Sequence, residues 1–253
     1  MGRRGRNAPH ATGSRKTERD DMPCTIPGRS IAFFDVDETL ITIKSLLRFL
    51  TYHFDNDGAD PDHAVQAKES LLRQLAAGAP REVLNRSYYR SFRGSCPQEL
   101  ARSGRHWFDS EVARGGLFHA PVRRRLESHR AAGRGIVLVS GSFFPCLGPI
   151  AEHVNAHHVL CTSTHTEAGV LTGEITDPVI GDEKAVRANR LMRSLGIRPI
   201  DCFAYGDDAS DLPLLRAVGN PVVVGNDPVL QAWGRRYGWG ALPGVSTVPV
   251  PTG

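Results

Sequence analysis

An α/β fold, with a mainly parallel sheet interrupted by one helical insertion, is what this sequence predicts, on three observations. Short apolar runs recur at 31–34, 136–139, 202–205 and 221–224, each bounded by Gly, Pro or charge, and their lengths suit strands buried on both faces. Helical patterns separate them at 120–132, 183–195 and 212–218, and strand alternating with helix builds such a sheet. The first and third runs also end abruptly in carboxylates, as strand tips do when a ligand site sits at one sheet edge.

The chain opens with a segment rich in Gly, Arg, Ser and Thr. Residues 1–30 hold seven of the 31 Lys and Arg residues and three of the 27 acids, so the whole formal charge of +4 belongs to this tail. Too few large apolar residues are present to offset the entropy of ordering it, and residues 1–30 are expected to be a disordered basic tail. The remaining body is formally neutral and carries no recognisable reading motif, which argues against a nucleic-acid partner. A content of 40% hydrophobic residues over 253 positions supports a sizeable core. No apolar stretch reaches the ~18 residues of a membrane span, and no apolar segment follows the basic N-terminus as it would in a secretory signal. Cys24, Cys96, Cys146, Cys161 and Cys202 are scattered, odd in number and never in a C-x-x-C pair. They read as reduced thiols of a cytoplasmic protein rather than a disulfide framework or a zinc site.

After the first strand the rhythm breaks. Between Ile43 and about Phe118 there is no convincing β run, but helix-like blocks occur at 44–54, 63–77, 81–92 and 97–112, with starts marked by Asp62, Pro80 and Pro97. The expected division is therefore an α/β core over 31–43 and 119–240, a helical cap over 44–118 and a C-terminal tail over 241–253. Segments 158–164 and 170–176, joined through Glu167-Ala168-Gly169, read as a β-hairpin.

Chemistry collects at the strand tips. Asp35 and Asp37 leave the first strand one residue apart, followed by Thr39. Such a pair repels and is costly to desolvate unless a cation or a reaction uses it. The second run ends in Ser140-Gly141-Ser142, offering a hydroxyl and a backbone that an anion can approach, although Ser-Gly after a strand is also ordinary turn chemistry. The third run ends in Gly206-Asp207-Asp208-Ala209-Ser210-Asp211. Three carboxylates so close suit a hard cation such as Mg²⁺ or, equally, an acidic helix start. Lys184, one of only four lysines, opens the helix between these elements, where a cation is unfavourable unless an anion compensates it.

Taken together, D-x-D-x-T, Ser-Gly, a lysine at a helix start and G-D-x-x-x-D, in that order, resemble the haloacid dehalogenase superfamily. The likeness is to its Mg²⁺-dependent phosphatases with a helical cap, in particular the phosphoserine-phosphatase-like subfamily IB with a C1-type cap, and it spans about Ile31 to Trp239. The resemblance implies a Rossmann-like core and hydrolysis of a small-molecule phosphate ester. Asp35 would be the nucleophile that becomes an aspartyl-phosphate, and Asp37 the proton donor and later the base. Mg²⁺ would be held by Asp35, the Asp37 carbonyl and Asp207, with Asp211 orienting metal-bound water and Thr39 bracing the loop. Ser140, Gly141 and Lys184 would bind the phosphoryl oxygens. A phosphotransferase that passes the group to an acceptor alcohol shares these residues, and a catalytically silent binding protein is a further alternative.

Substrate choice belongs to the insertion. Phosphoserine phosphatases usually place a glutamate nine residues after the nucleophile, where this chain has Lys44. A lysine repels the substrate ammonium and attracts a carboxylate, a second phosphate or a polyol, so phosphoserine is expected to be a poor substrate. Arg86 and Tyr89 are further candidates on the same cap.

Overall fold

The computed structural model describes residues 26–56, 61–176 and 178–245. Most of the expected basic tail, residues 1–25, lies outside them. Residues 26–30 do not behave as tail, since Ile26 packs against the core and Ser30 accepts a hydrogen bond from the Gly135 amide (3.0 Å).

The strands are β1 (Ile31–Asp35), β2 (Gly135–Ser140), β3 (His158–Cys161), β4 (Thr164–Glu167), β5 (Val170–Ile175), β6 (Phe203–Gly206), β7 (Asn220–Val224) and β8 (Gly240–Leu242). Six of them form one parallel sheet in the order β3-β2-β1-β6-β7-β8. The order runs outward in both directions from β1, so the chain reverses its winding beside that strand, and Asp35 sits at this switch point. β4 and β5 form a separate antiparallel pair. The expected hairpin is thus shorter than predicted: residues 158–161 pair with β2 in the main sheet, and only 164–167 and 170–175 make the hairpin.

Alternation along the central strand explains the two layers. Ala32 and Phe34 point into one apolar cluster with Ile136 and Leu138. Ile31 and Phe33 point into the opposite cluster with Val137 and Val139, as the period of two requires. The first face is covered by α5 (Ala120–Ala131), which supplies Val122 and Leu126, and by α6 (Phe144–Val154), which supplies Leu147 and Ile150. The second is covered by α7 (Asp182–Ser194), α8 (Leu212–Arg216) and α9 (Pro228–Tyr237), through Ala188, Met192, Leu214, Leu215 and Leu230. Asp35 shares the parity of Ile31 and Phe33, so it points toward the side of α7.

Four helices lie between β1 and α5: α1 (Ser45–Asn56), α2 (Pro61–Ala76), α3 (Arg81–Arg90) and α4 (Pro97–Arg114). Pro80 immediately precedes α3 and Pro97 is the first residue of α4, where a missing N–H does no harm. Asp62 falls one residue inside α2 rather than before it. The aromatic rings of Phe49, Phe92, Trp107 and Phe143 stack or meet edge to face, and belong to the same apolar cluster as Phe34 and Leu138. These helices are consequently fastened to the sheet layer by a continuous core. The helix α6, the helix α9 and the strand β8 were not foreseen, and β8 carries the ordered chain beyond the tail boundary expected at 241. Among the described residues no helix is long and apolar enough to cross a membrane.

Candidate active site

Because β1, β2 and β6 are parallel and in register, their carboxyl ends bring Asp35, Ser140 and the loop after Gly206 to one edge. Asp35, Asp207 and Asp211 meet there, with one carboxylate oxygen of each within 4.8 Å of the others. Lys184, in the first turn of α7, bonds both Asp35 and Asp211 through Nζ, each at 2.5 Å. The ammonium is the compensating cation of two acids, which explains its position at a helix start.

The individual groups are held differently. Asp211 is 1% exposed and accepts three bonds: Oδ1 from Lys184, and Oδ2 from the amides of Asp207 (3.1 Å) and Asp208 (3.3 Å). The absence of a side chain at Gly206 makes this possible, since a Cβ there would stand 2.5 Å from the Asp211 Cβ. Asp207 receives a 2.6 Å bond from the Thr39 hydroxyl, and burial, followed by the charges of Asp211 and Glu38, pushes its carboxyl up to about 6. Burial also pushes Asp35 well up, against the attraction of Lys184. For Lys184 burial opposes the charge, but Asp211 and Asp35 outweigh it and hold the ammonium above its ordinary range. Asp37 stands across the loop, where its Oδ1 accepts from the Ser45 amide at the start of α1 (3.1 Å), and burial raises its carboxyl as well.

The Ser140–Ser142 loop closes the other side. The Ser142 amide donates to Ser140 Oγ (3.1 Å), which leaves the Ser140 proton available for an anion. A Cβ on Gly141 would lie 2.9 Å from Ile180 Cγ1, so glycine keeps this backbone accessible. The Gly141 carbonyl accepts from three side chains: Asn85 Nδ2 (3.1 Å), Tyr89 Oη (2.9 Å) and Thr162 Oγ1 (2.9 Å).

Asp35, Asp37, Ser140, Gly141, Lys184, Asp207 and Asp211 all line one cavity of about 380 Å³ roofed by α1, α2 and α3. Lys44 also lines it, paired with Glu38 at 3.2 Å. Tyr89 is buried and acts on the Gly141 carbonyl, while Arg86 is half-buried on α3 and does not line the cavity. Asn85 and Thr162 were missed by sequence reasoning, because a side chain that grips one distant carbonyl leaves no pattern in sequence. A larger cleft of about 790 Å³, lined by Phe203 and Asn220 at the amino ends of β6 and β7, has no carboxylate in its lining.

Three carboxylates face one ammonium at the cluster, an excess of buried negative charge with an oxygen-only donor set. Those residues fit a hard divalent cation. Asp35 and Asp207 are the ones with coordinating capacity to spare, whereas Asp211 is already committed to Lys184 and two amides.

Comparison with known proteins agrees with this geometry. A "Probable phosphatase" of Mycobacterium tuberculosis is 29% identical over 216 residues, covering 85% of this chain and 75% of the relative. A histidinol-phosphatase of Neisseria meningitidis is 25% identical over 240 residues, covering 85% and 98%. Among solved structures, a protein of unknown function from Bordetella pertussis Tohama I superposes with a TM-score of 0.73 at 26% identity, covering 85% and 98%. A phospho-aspartyl intermediate analogue of phosphoserine phosphatase shares the fold, with a TM-score of 0.56 at 16% identity over 80% of this chain and 89% of that one. The family model of haloacid dehalogenase-like hydrolases matches residues 32–216. With the motifs in order and their side chains gathered at one sheet edge, the chain belongs to the haloacid dehalogenase-like hydrolase family.

Proposed function

We propose that this enzyme hydrolyses a small-molecule phosphate monoester, with Mg²⁺, through an aspartyl-phosphate on Asp35. The observation that carries the reading is the convergence of Asp35, Asp207, Asp211 and Lys184 at one strand edge beneath a roofed cavity. Helices α1–α4 act as a cap over that edge.

An Asp35 oxygen forms a bond to phosphorus as the ester P–O bond breaks, and the departing alkoxide takes a proton from Asp37. The ionised Asp37 then accepts a proton from water, whose oxygen attacks phosphorus and releases inorganic phosphate and the Asp35 carboxylate. The Ser140 hydroxyl, the Gly141 amide and the Lys184 ammonium oppose the negative charge spread over the phosphoryl oxygens. Asp35, the Asp37 carbonyl and Asp207 would hold Mg²⁺, which would supply electrostatic shielding between nucleophile and phosphate. Asp211 fixes Lys184 and, through the Asp207 amide, the loop that carries Asp207.

Phosphate release from a panel of esters, with and without Mg²⁺, tests the reading. The wild-type chain is expected to release phosphate only with the metal, and Asp35→Asn to lose at least about 10³-fold in kcat, as loss of a covalent nucleophile does. Turnover retained by Asp35→Asn at the wild-type rate would overturn the assignment.

A further inference from the structure

The cavity has two unlike ends. Its floor is the charged strand edge, but the opposite wall is mostly apolar, built from Leu46, Leu47 and Leu50 of α1, Leu71, Leu72 and Leu75 of α2, and Leu84 of α3, with Thr51, Asn85 and Tyr88 as its uncharged polar members. Leu47, Leu72 and Leu75 remain 38%, 60% and 50% exposed, so three large apolar side chains of the wall keep much of their surface uncovered. The wall also holds two lysines, each already matched by the protein's own acid: Lys44 by Glu38 at 3.2 Å and Lys68 by Asp55 at 2.5 Å. A charged or polyhydroxylated leaving group would lose water on entering and find both lysines already paired, with Asn85 Oδ1 and Tyr88 Oη as the buried lining atoms that lack a hydrogen bond. An apolar one would gain by covering the leucines.

Building on the phosphatase reading above, we infer that the substrate is the phosphate monoester of an uncharged, largely apolar alcohol, such as a medium-length alkyl or prenyl alcohol. A cavity of about 380 Å³ encloses a phosphoryl group and a body of that kind. Discrimination against phosphoserine then follows from the largely apolar wall. Lys44 contributes little to it, since Glu38 cancels its charge locally.

The test is a series of n-alkyl phosphates from ethyl to octyl, run beside phosphoserine and glycerol phosphate with the full chain and Mg²⁺. The value of kcat/KM is expected to climb about three- to fourfold per added methylene, the factor for full burial, until the cavity is filled. The double variant Leu72→Gln/Leu75→Gln should lower the ratio of octyl phosphate to glycerol phosphate about tenfold. In parallel, calorimetric titration of Asp35→Asn should show octyl phosphate binding at least tenfold tighter than glycerol phosphate. Faster turnover of phosphoserine or glycerol phosphate, or indifference to chain length, would overturn the apolar class while leaving the phosphatase reading intact. Preferential binding of octyl phosphate without hydrolysis of any ester would do the reverse.

Discussion

The floor and the roof of the cavity are built on opposite physical terms. On the floor, the charged groups are tied to named partners: Lys184 spans two carboxylates, Asp211 accepts three bonds, and Asp207 is fixed by Thr39. On the roof, leucines stand half-exposed on α1 and α2, beside the ion pairs of Lys44 with Glu38 and Lys68 with Asp55. A floor that must oppose charge on three phosphoryl oxygens needs groups that do not move as the charge develops. A roof that selects the rest of the molecule needs area and shape, which leucines supply without competing for the phosphate. On the proposed reading, reaction and selection are carried by separate layers, which substitutions should separate.

The largest expected effect comes from Lys184→Met. It leaves Asp35 and Asp211 buried without their shared cation, and breaking such a pair is worth roughly 3–5 kcal/mol of stability. Urea unfolding should show this loss, with part of it restored by added Mg²⁺. A variant as stable as wild type in metal-free buffer would contradict the picture of a floor fixed by charge. By contrast, substitution of the exposed Leu75 is expected to move stability by under about 0.5 kcal/mol, as surface changes do.

A smaller effect joins the two layers. Tyr89→Phe removes one of three bonds to the Gly141 carbonyl, a change of about 1 kcal/mol. It should lower kcat several-fold for every ester alike, because it acts on the phosphoryl loop and not on the leaving-group wall. A change confined to long-chain esters would mean that Tyr89 belongs to the roof.

The smallest effect isolates the floor's electrostatics from those of the distant sheet. His129 is buried against Phe34 and Phe203. Its Nδ1 faces Arg134 (3.2 Å) and its Nε2 faces the Tyr205 hydroxyl (2.8 Å). With the arginine donating to Nδ1, the neutral ring donates from Nε2 to Tyr205. Burial, followed by the charges of Arg134 and Arg125, pushes its pKa down from 6.5 to about 4. Since the unfolded chain takes the proton first, stability present above pH 6.5 is lost as pH falls toward 4. His129→Gln should flatten that decline in thermal melts between these two values. An unchanged slope would assign the acid sensitivity elsewhere.

The floor was legible in the sequence and the roof was not. Asp35, Asp37 and Asp207 sit in short motifs at strand ends and Lys184 at a helix start, and the parallel sheet does the rest by aligning those ends. The strands β1, β2, β6 and β7 announced themselves as uninterrupted apolar runs. The strand β3 did not, because only Leu160 in it is fully buried, so it merged with the hairpin that follows. The helix α6 was hidden by Gly148 and Pro149 in its interior, residues that ordinarily argue against a helix. On the roof, Leu71, Leu72 and Leu75 read only as helix, since periodicity tells which face is apolar but not what that face meets. Lys44 stands out in the sequence as a lone charge, whereas nothing in the sequence ties it to Glu38. Glu38 occupies the left-handed region at φ 60, and that turn brings its carboxylate to the lysine.

The Gly141 carbonyl carries one more implication, through the peptide bond it belongs to. That carbonyl and the Ser142 amide are two ends of one conjugated unit, and the amide donates in turn to Ser140 Oγ. Three donors pulling on the oxygen shift electron density along the unit, sharpen the amide as a donor and, through it, the acidity of the serine hydroxyl. Two of those three donors, Asn85 and Tyr89, stand on α3. The seating of a roof helix is thereby read out as the hydrogen-bonding strength of a floor hydroxyl, by way of a single peptide group.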